Sequence, residues 1–199
     1  MTLWIAVVAA YLLGCIPFGV IVARAYGVDL RSQGSRNIGA TNALRVIGKK
    51  AGALTLAGDM LKGVAGVMLA INLAGRDAGY YAAAAGVLGH DFPVFTGFRG
   101  GKGVATSYGA LIALYPLVAL GGLATWLLTM AVTRISSLSA LAGFIVVPVI
   151  ASIVRPDDRL LIGVCFFLTV MIFLKHHQNI RRLLKGDEPR IGRNTTVNT

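Results

Sequence analysis

Charged residues are scarce in this sequence, and that scarcity excludes most classes of soluble protein. Only 14% of the 199 residues are charged and 8 are acidic, whereas soluble domains carry about 25% charged residues. Mean hydropathy is +0.73. A helix that crosses a bilayer needs about 20 apolar residues, so seven spans would use about 140 and leave no room for a soluble catalytic domain.

Cysteine is also scarce. Cys15 and Cys165 both lie within apolar runs, which predicts two small buried residues and not a disulfide or a metal pair. The shortage of acidic residues leaves a net charge of +11. In so apolar a chain this excess is typical of the positive-inside rule, and we predict no nucleic-acid partner. The first run has neither a basic leader nor a clear cleavage site, so we predict a first span and not a cleaved signal peptide.

Apolar runs predict an all-α integral membrane protein. The fourth run is long for one helix, and it contains Pro116, which interrupts a helix. One span there gives six crossings, and two short spans give seven. The runs cover 3–23, 51–74, 80–95, 104–132, 138–154 and 160–174.

Loop charge favours seven crossings. The loop 24–50 and the tail after residue 174 each carry six basic residues. Seven spans place both on one face with Arg99, Lys102 and Arg134, which gives 15 basic residues against 3 on the other face. Basic loops face the cytoplasm, so we predict an outside amino terminus and a cytoplasmic carboxyl terminus. We treat 1–199 as one domain and 194–199 as a disordered tail.

Two glycine-rich segments on this face are candidate anion sites. In the first, 34–42 (GSRNIGATN), backbone N–H groups and polar side chains precede Arg45, which suits a phosphate. In the second, GGKG places Lys102 before an apolar helix that begins at Val104, and helix amino termini bind anions. Neither segment is a Walker A loop. A plain polar loop and a flexible turn are the alternatives.

Ionisable residues inside or beside the spans are further candidates. Asp59 and Lys62 lie three residues apart on one helical face, as a structural ion pair or as support for a site. His90 precedes the second glycine segment and is either a buried structural residue or part of the site. After the last span, the segment that begins with His176 and His177 is either a lipid-binding basic helix or part of the site. The sequence predicts no metal site and no cofactor.

In combination these segments resemble one family, the bacterial acyl-phosphate:glycerol-3-phosphate acyltransferases. Three blocks occur in the family's order: 34–42, 89–106 (GHDFPVFTGFRGGKGVAT) and 175–192 (KHHQNIRRLLKGDEPRIG). The connecting segments GDMLKG (58–63) and RISSLS (134–139) also match. Two positions depart from the pattern: Arg36 stands at a usually glycine-like position, and Lys175 stands where arginine is common.

The resemblance implies transfer of a fatty acyl group from acyl phosphate to the 1-hydroxyl of sn-glycerol 3-phosphate, which gives lysophosphatidic acid and phosphate. It implies catalytic roles for Ser35, Arg45, Lys102, His176 and Asn179. Further residues are expected to bind substrate or phosphate, and others to support the site. The expected binding residues are Gly34, Asn37, Gly39, Thr41, Asn42, Gly100, Gly101, Gly103 and Ser137, and the expected supporting residues are Asp59, Lys62, His90 and Glu188.

The implied partners are glycerol 3-phosphate, a long-chain acyl phosphate and membrane lipids, with a functional link to the enzyme that makes acyl phosphate. The implied location is the bacterial inner membrane, with the active site on its cytoplasmic side. The main alternative is a transporter or scramblase of anionic lipids or phosphate compounds. That function predicts polar groups near the midplane, whereas these segments cluster at one face. A lipid-phosphate phosphatase would need a metal-binding aspartate cluster or a histidine nucleophile with arginine partners, and the aspartates are scattered.

Overall fold

The computed structural model describes residues 1–192, and that range is helical without strands. The predicted tail 194–199 lies outside the described residues. One short 3-10 turn, Val94–Thr96, interrupts the series of α-helices. In chain order these helices are α1 (Thr2–Gly14), α2 (Phe18–Ala25), α3 (Ala40–Val46), α4 (Lys49–Ala74), α5 (Arg76–Asp91), α6 (Val104–Leu114), α7 (Pro116–Thr133), α8 (Ser136–Val154), α9 (Arg159–Lys175) and α10 (His177–Lys185).

Long apolar helices confirm an all-α integral membrane fold. Within the described residues, four segments are long and apolar enough to cross a bilayer: α1 with α2, α4, α7 and α8. The pair α9 and α10, bent by 62°, brings the number to five if it is one span. Helices α5 and α6 have 16 and 11 residues. Seven crossings and the orientation of the termini stay predictions.

Pro116 divides the fourth apolar run, as the sequence predicts. Helix α6 ends at Leu114, Tyr115 has an extended backbone, and Pro116 is the first residue of α7. Proline is favoured at this position because its missing N–H would have no partner within the helix there. A single 29-residue helix is therefore replaced by two shorter ones.

A second proline joins two helices. Pro148 lies inside α8, where it cannot donate to the carbonyl of Phe144 four residues earlier. The hydroxyl of Thr169 on α9 lies 2.8 Å from that carbonyl oxygen and 2.8 Å from the carbonyl oxygen of Cys165, and it shares its proton between the two. A backbone group in hydrocarbon needs such a partner, so the proline helps to fasten α8 to α9.

Small residues let the helices approach closely. A Cβ atom on Gly14 of α1 would lie 2.1 Å from the carbonyl oxygen of Gly86 on α5, and one on Gly109 of α6 would lie 2.1 Å from that of Met60 on α4. Such contacts are typical of membrane helices, since packing and not water exclusion holds them together. Both cysteines are buried and free, which confirms the prediction made for them.

Candidate active site

Four parts of the chain meet in a hydrogen-bond network around the Glu188 carboxylate. It accepts hydrogen bonds from the Ser137 hydroxyl at 2.7 Å, from the Asn179 amide at 2.5 Å and from the Arg182 guanidinium at 2.6 Å. The Lys102 ammonium donates to the Asn179 carbonyl oxygen at 2.5 Å. We call these five residues the Glu188 network. It joins the second glycine segment, the start of α8, helix α10 and the segment that follows α10.

Helix α10 allows this meeting. It begins after His176 with a sharp bend from α9, and Asn179 and Arg182 lie three residues apart on one face. Gly186 has a φ of 77°, in the left-handed region that favours glycine. The chain turns back there, and Glu188 reaches the face of α10 that carries Asn179.

Hydrogen bonding keeps Glu188 ionised. Burial opposes its charged form, but hydrogen bonds from Ser137, Asn179 and Arg182 outweigh burial and lower the pKa of the carboxyl group. All three donors would be left without this acceptor if the group were protonated and turned away. The supporting role of Glu188 in catalysis stays a prediction.

The ammonium group of Lys102 loses its proton more readily than that of an ordinary exposed lysine. Burial is the main cause and lowers the pKa of its ammonium group to about 8. The Glu188 carboxylate opposes that shift, whereas the positive charges of Arg182, Arg45 and Lys175 add to it. The structure therefore brings Arg45 within electrostatic reach of Lys102 and places more cations than carboxylates around this side chain.

The structure distinguishes the two adjacent histidines. His176 is 3% exposed, and its Nδ1 lies 2.7 Å from the carbonyl oxygen of Ile172. It also lies within electrostatic reach of Lys102 and Glu188. His177 is exposed on the other side of the helix start. Of the two, His176 is the one that faces the Glu188 network.

Amide side chains shape the first glycine segment. Asn42 is buried, and its Oδ1 accepts a hydrogen bond from the Ser35 N–H at 2.9 Å. Its Nδ2 donates to the Asn37 carbonyl at 2.8 Å and also lies near the carbonyls of Leu30 and Gln33. Asn37 in turn accepts from the N–H of Gly39 at 2.8 Å. A Cβ on Gly34 would lie 2.3 Å from the Asn42 side chain. These contacts hold the loop, and direct substrate contacts of its residues stay predictions.

Contacts to two other segments fix the position of this loop. The Thr41 hydroxyl lies 2.9 Å from that of Ser136 at the start of α8, and Arg31 donates to the Arg99 carbonyl at 3.3 Å. The side chains of Ser35 and Arg45 are exposed. The three glycine-rich and basic segments therefore lie on one side of the molecule, as the sequence predicts.

Glycines in the second segment are required by packing. The N–H of Gly101 donates to the His90 carbonyl at 3.1 Å, and a Cβ on Gly101 would lie 2.1 Å from the His90 ring. A Cβ on Gly100 would lie 2.0 Å from the His90 carbonyl oxygen. Gly103 has a φ of 73° and precedes α6, which begins at Val104 as predicted. The loop presents Lys102 because its glycines fit closely against the end of α5.

A second buried set of charges lies deeper in the molecule. Asp59 and Lys62 on α4 are 2.9 Å apart, and the Nδ1 atom of His90 on α5 is 3.5 Å from the same Asp59 oxygen. Lys62 also donates to the carbonyl of Ile16 at 2.8 Å. We call Asp59, Lys62 and His90 the interior ion cluster. It lies apart from the Glu188 network and supports the Lys102 loop through His90.

Sequence reasoning missed two features of the site. Arg182 lay in a candidate segment but was given no role of its own, although it lies three residues after Asn179 and its helical spacing was a usable signal. The contact of His90 with Asp59 joins two helices, and no local sequence pattern predicts it. Within residues 1–192, no group of three or more histidine, cysteine, aspartate or glutamate side chains is arranged to hold a metal ion.

Comparison with known proteins decides the family. The sequence matches the family model described as glycerol-3-phosphate acyltransferase over residues 4–186. The chain belongs to this family. A family relative from Jannaschia sp. (strain CCS1) is 47% identical over 97% of this chain and 95% of its own length. Another from Caulobacter vibrioides (strain NA1000 / CB15N) is 48% identical over 97% of this chain and 89% of its own.

Solved structures of a family member have the same fold. PlsY (YgiH), an integral membrane glycerol 3-phosphate acyltransferase, matches in its glycerol 3-phosphate form with a TM-score of 0.91 and 39% identity. That alignment covers 96% of each chain. Its lysophosphatidic acid form matches with a TM-score of 0.90 and 38% identity. The predicted resemblance and acyltransferase class are therefore confirmed, and they decide against the transporter alternative.

Proposed function

We propose that this protein transfers a fatty acyl group from acyl phosphate to the 1-hydroxyl of glycerol 3-phosphate. An ester bond forms at that hydroxyl, the bond from the acyl carbon to the phosphate oxygen breaks, and lysophosphatidic acid and inorganic phosphate are released. The observation that carries the proposal is the excess of cations near Lys102, where Arg45 and Arg182 accompany one carboxylate, Glu188. Both proposed substrates are phosphate anions.

The solved relatives support the acceptor and the product. Their structures hold glycerol 3-phosphate in one form and lysophosphatidic acid in the other. The acyl phosphate donor rests on the family resemblance of the three sequence blocks. An acyl phosphate is a mixed anhydride and is already activated, so positioning and charge stabilisation can supply most of the catalysis.

We assign binding of the substrate phosphate groups to Lys102, Arg45 and Ser35. The proposed site is completed by His176 and Asn179. Glu188 is a poor general base here, because its oxygens already accept three hydrogen bonds that favour the charged form. We therefore assign the proton of the attacking hydroxyl to the phosphate of the donor itself. A Ser35→Ala protein that turned over at the wild-type rate would contradict the role of Ser35.

The single domain 1–199 is proposed to act in the bacterial inner membrane, where it would start phospholipid synthesis. The positive-inside rule supports a cytoplasmic site, since the site lies among the most basic loops of the chain. Acyl phosphate would have to come from an enzyme that makes it, which is the functional link expected from the resemblance.

The test is an assay of purified protein in lipid or detergent with glycerol 3-phosphate as acceptor. Palmitoyl phosphate and palmitoyl-CoA are supplied separately, and lysophosphatidic acid and free phosphate are followed. We expect product from palmitoyl phosphate alone. Product from palmitoyl-CoA alone would overturn the donor, and no product from folded protein with either donor would overturn the reaction.

A further inference from the structure

An apolar groove of about 700 Å³ runs along the outer side of α8 and α9 and ends at α10. Pro148, Phe166 and Phe173 are among the residues that line it. A second groove of about 510 Å³ shares Pro148 and Phe166 and continues the apolar surface toward Arg159. The residues of α9 that line the first groove are spaced three and four apart, on the face opposite its buried residues. The groove therefore opens toward lipid.

Basic side chains form one end of this groove. His177 and Arg181 of α10 line it and are exposed. They are four positions apart in the sequence, so they lie on one face of the helix. Asn179 and Arg182 point to the Glu188 network from the other side of α10. Among the described residues, no carboxylate pairs with Arg181, so its charge is free for an external anion.

We propose that this groove is a binding site for an anionic phospholipid, separate from the catalytic site. An acyl chain lies between α8 and α9, and the phosphate of the headgroup contacts Arg181 and His177. Arginine binds phosphate through two parallel N–H donors. A basic residue at an anionic membrane surface contributes about 1 kcal/mol of attraction. The apolar lining of the groove matches the acyl chains of such a lipid, and its basic end matches the negatively charged headgroup. A lipid without net charge would match the apolar lining but not the charge of the basic end.

Lipid binding by the purified full-length chain tests this site without any assay of activity. The protein in detergent is titrated with phosphatidylglycerol or with phosphatidylcholine of the same acyl chains, and bound lipid is counted by native mass spectrometry. We expect one phosphatidylglycerol to bind at least about fivefold more tightly than phosphatidylcholine. Arg181→Gln should remove that preference.

Two further variants make the result specific. Arg190→Gln removes the same charge from an exposed residue that does not line the groove, and it should keep the preference. Ile145→Trp fills the groove from a side chain that is 54% exposed, and it should weaken binding of both lipids. All the altered side chains are exposed, so the fold should tolerate each change.

Three results would overturn the proposal. The first is equal phosphatidylglycerol binding by the wild type and Arg181→Gln. The second is an equal loss in Arg181→Gln and Arg190→Gln, which would show attraction to surface charge only. The third is unchanged lipid binding with a raised KM for palmitoyl phosphate in Arg181→Gln, which would assign the groove to the acyl donor.

Discussion

The interior ion cluster and the Glu188 network each place a lysine near a carboxylate, and they differ in how the charge is matched. In the interior, Lys62 lies 2.9 Å from Asp59 and donates to a backbone carbonyl. At the network, Lys102 reaches Glu188 only through Asn179, and Arg182 takes the direct contact. The first set pairs one carboxylate with one lysine, whereas the second keeps an excess of positive charge.

This difference separates support from binding. A buried pair of opposite charges attracts a charged ligand only weakly, because each charge already has its partner. Removal of one partner leaves an uncompensated charge in the interior. A partly buried cation with too few carboxylates around it gains from an anionic ligand instead. We therefore expect damage to the interior ion cluster to lower stability, and damage at Lys102 to lower turnover.

The largest expected effect is on stability. Asp59→Asn leaves Lys62 and His90 without their carboxylate and should destabilise the fold by about 3–5 kcal/mol. Thermal unfolding in detergent measures this loss. The double variant Asp59→Asn with Lys62→Met should recover part of it, because the orphaned charge is gone. An unchanged Tm together with a hundredfold lower kcat would instead place Asp59 in the chemistry.

The next largest expected effect is on turnover, in the variant Lys102→Met of the Glu188 network. The variant lacks a cation at the substrate phosphates, and kcat/KM with palmitoyl phosphate should fall by about 10²–10³. Lys185→Met, at an exposed lysine of α10, is the matched control and should keep turnover. A Tm loss in Lys102→Met as large as in Asp59→Asn would contradict the proposed division of roles.

The pH profile tests the charge of Lys102. Its folded-state pKa of about 8 means that the ammonium form exists below that pH and is lost above it. Anion binding needs the ammonium form, so kcat/KM should fall as the pH rises through about 8. Because the Glu188 carboxylate favours the charged form, Glu188→Gln should move the fall to lower pH. A profile unchanged in that variant would contradict the coupling.

The smallest expected effect concerns the contact between the first loop and α8. Thr41→Val removes the hydrogen bond to Ser136 and should cost about 0.5–1.5 kcal/mol. Thermal unfolding measures the loss, and a raised KM for glycerol 3-phosphate would show that the loop has shifted. Thr125→Val, which removes a hydroxyl bonded within its own helix, should leave that KM unchanged.

Local chemistry made part of this structure predictable. The break at Pro116, the helix start at Val104 and the pairing of Asp59 with Lys62 each follow from a rule that acts over four residues or fewer. Those rules needed no knowledge of which helices are neighbours. The resemblance of the three sequence blocks supplied the family, and the comparisons confirmed it.

Contacts between distant segments were not predictable in the same way. Glu188 receives donors from α8 and α10, and His90 meets Asp59 across two helices. The sequence marks each of these residues as polar, but its spacing carries no information on how the helices pack. The role of Asn42 was hidden for a different reason: its contacts to Ser35 and Asn37 lie within one irregular loop, which no helical spacing describes.

Calorimetric titration with glycerol 3-phosphate tests the central claim most directly, namely that the unmatched cations around Lys102 bind the substrate phosphate. The account predicts heat from glycerol 3-phosphate but not from glycerol, affinity at least about tenfold weaker in Lys102→Met, and wild-type affinity in folded Asp59→Asn protein. Wild-type affinity in Lys102→Met would contradict it.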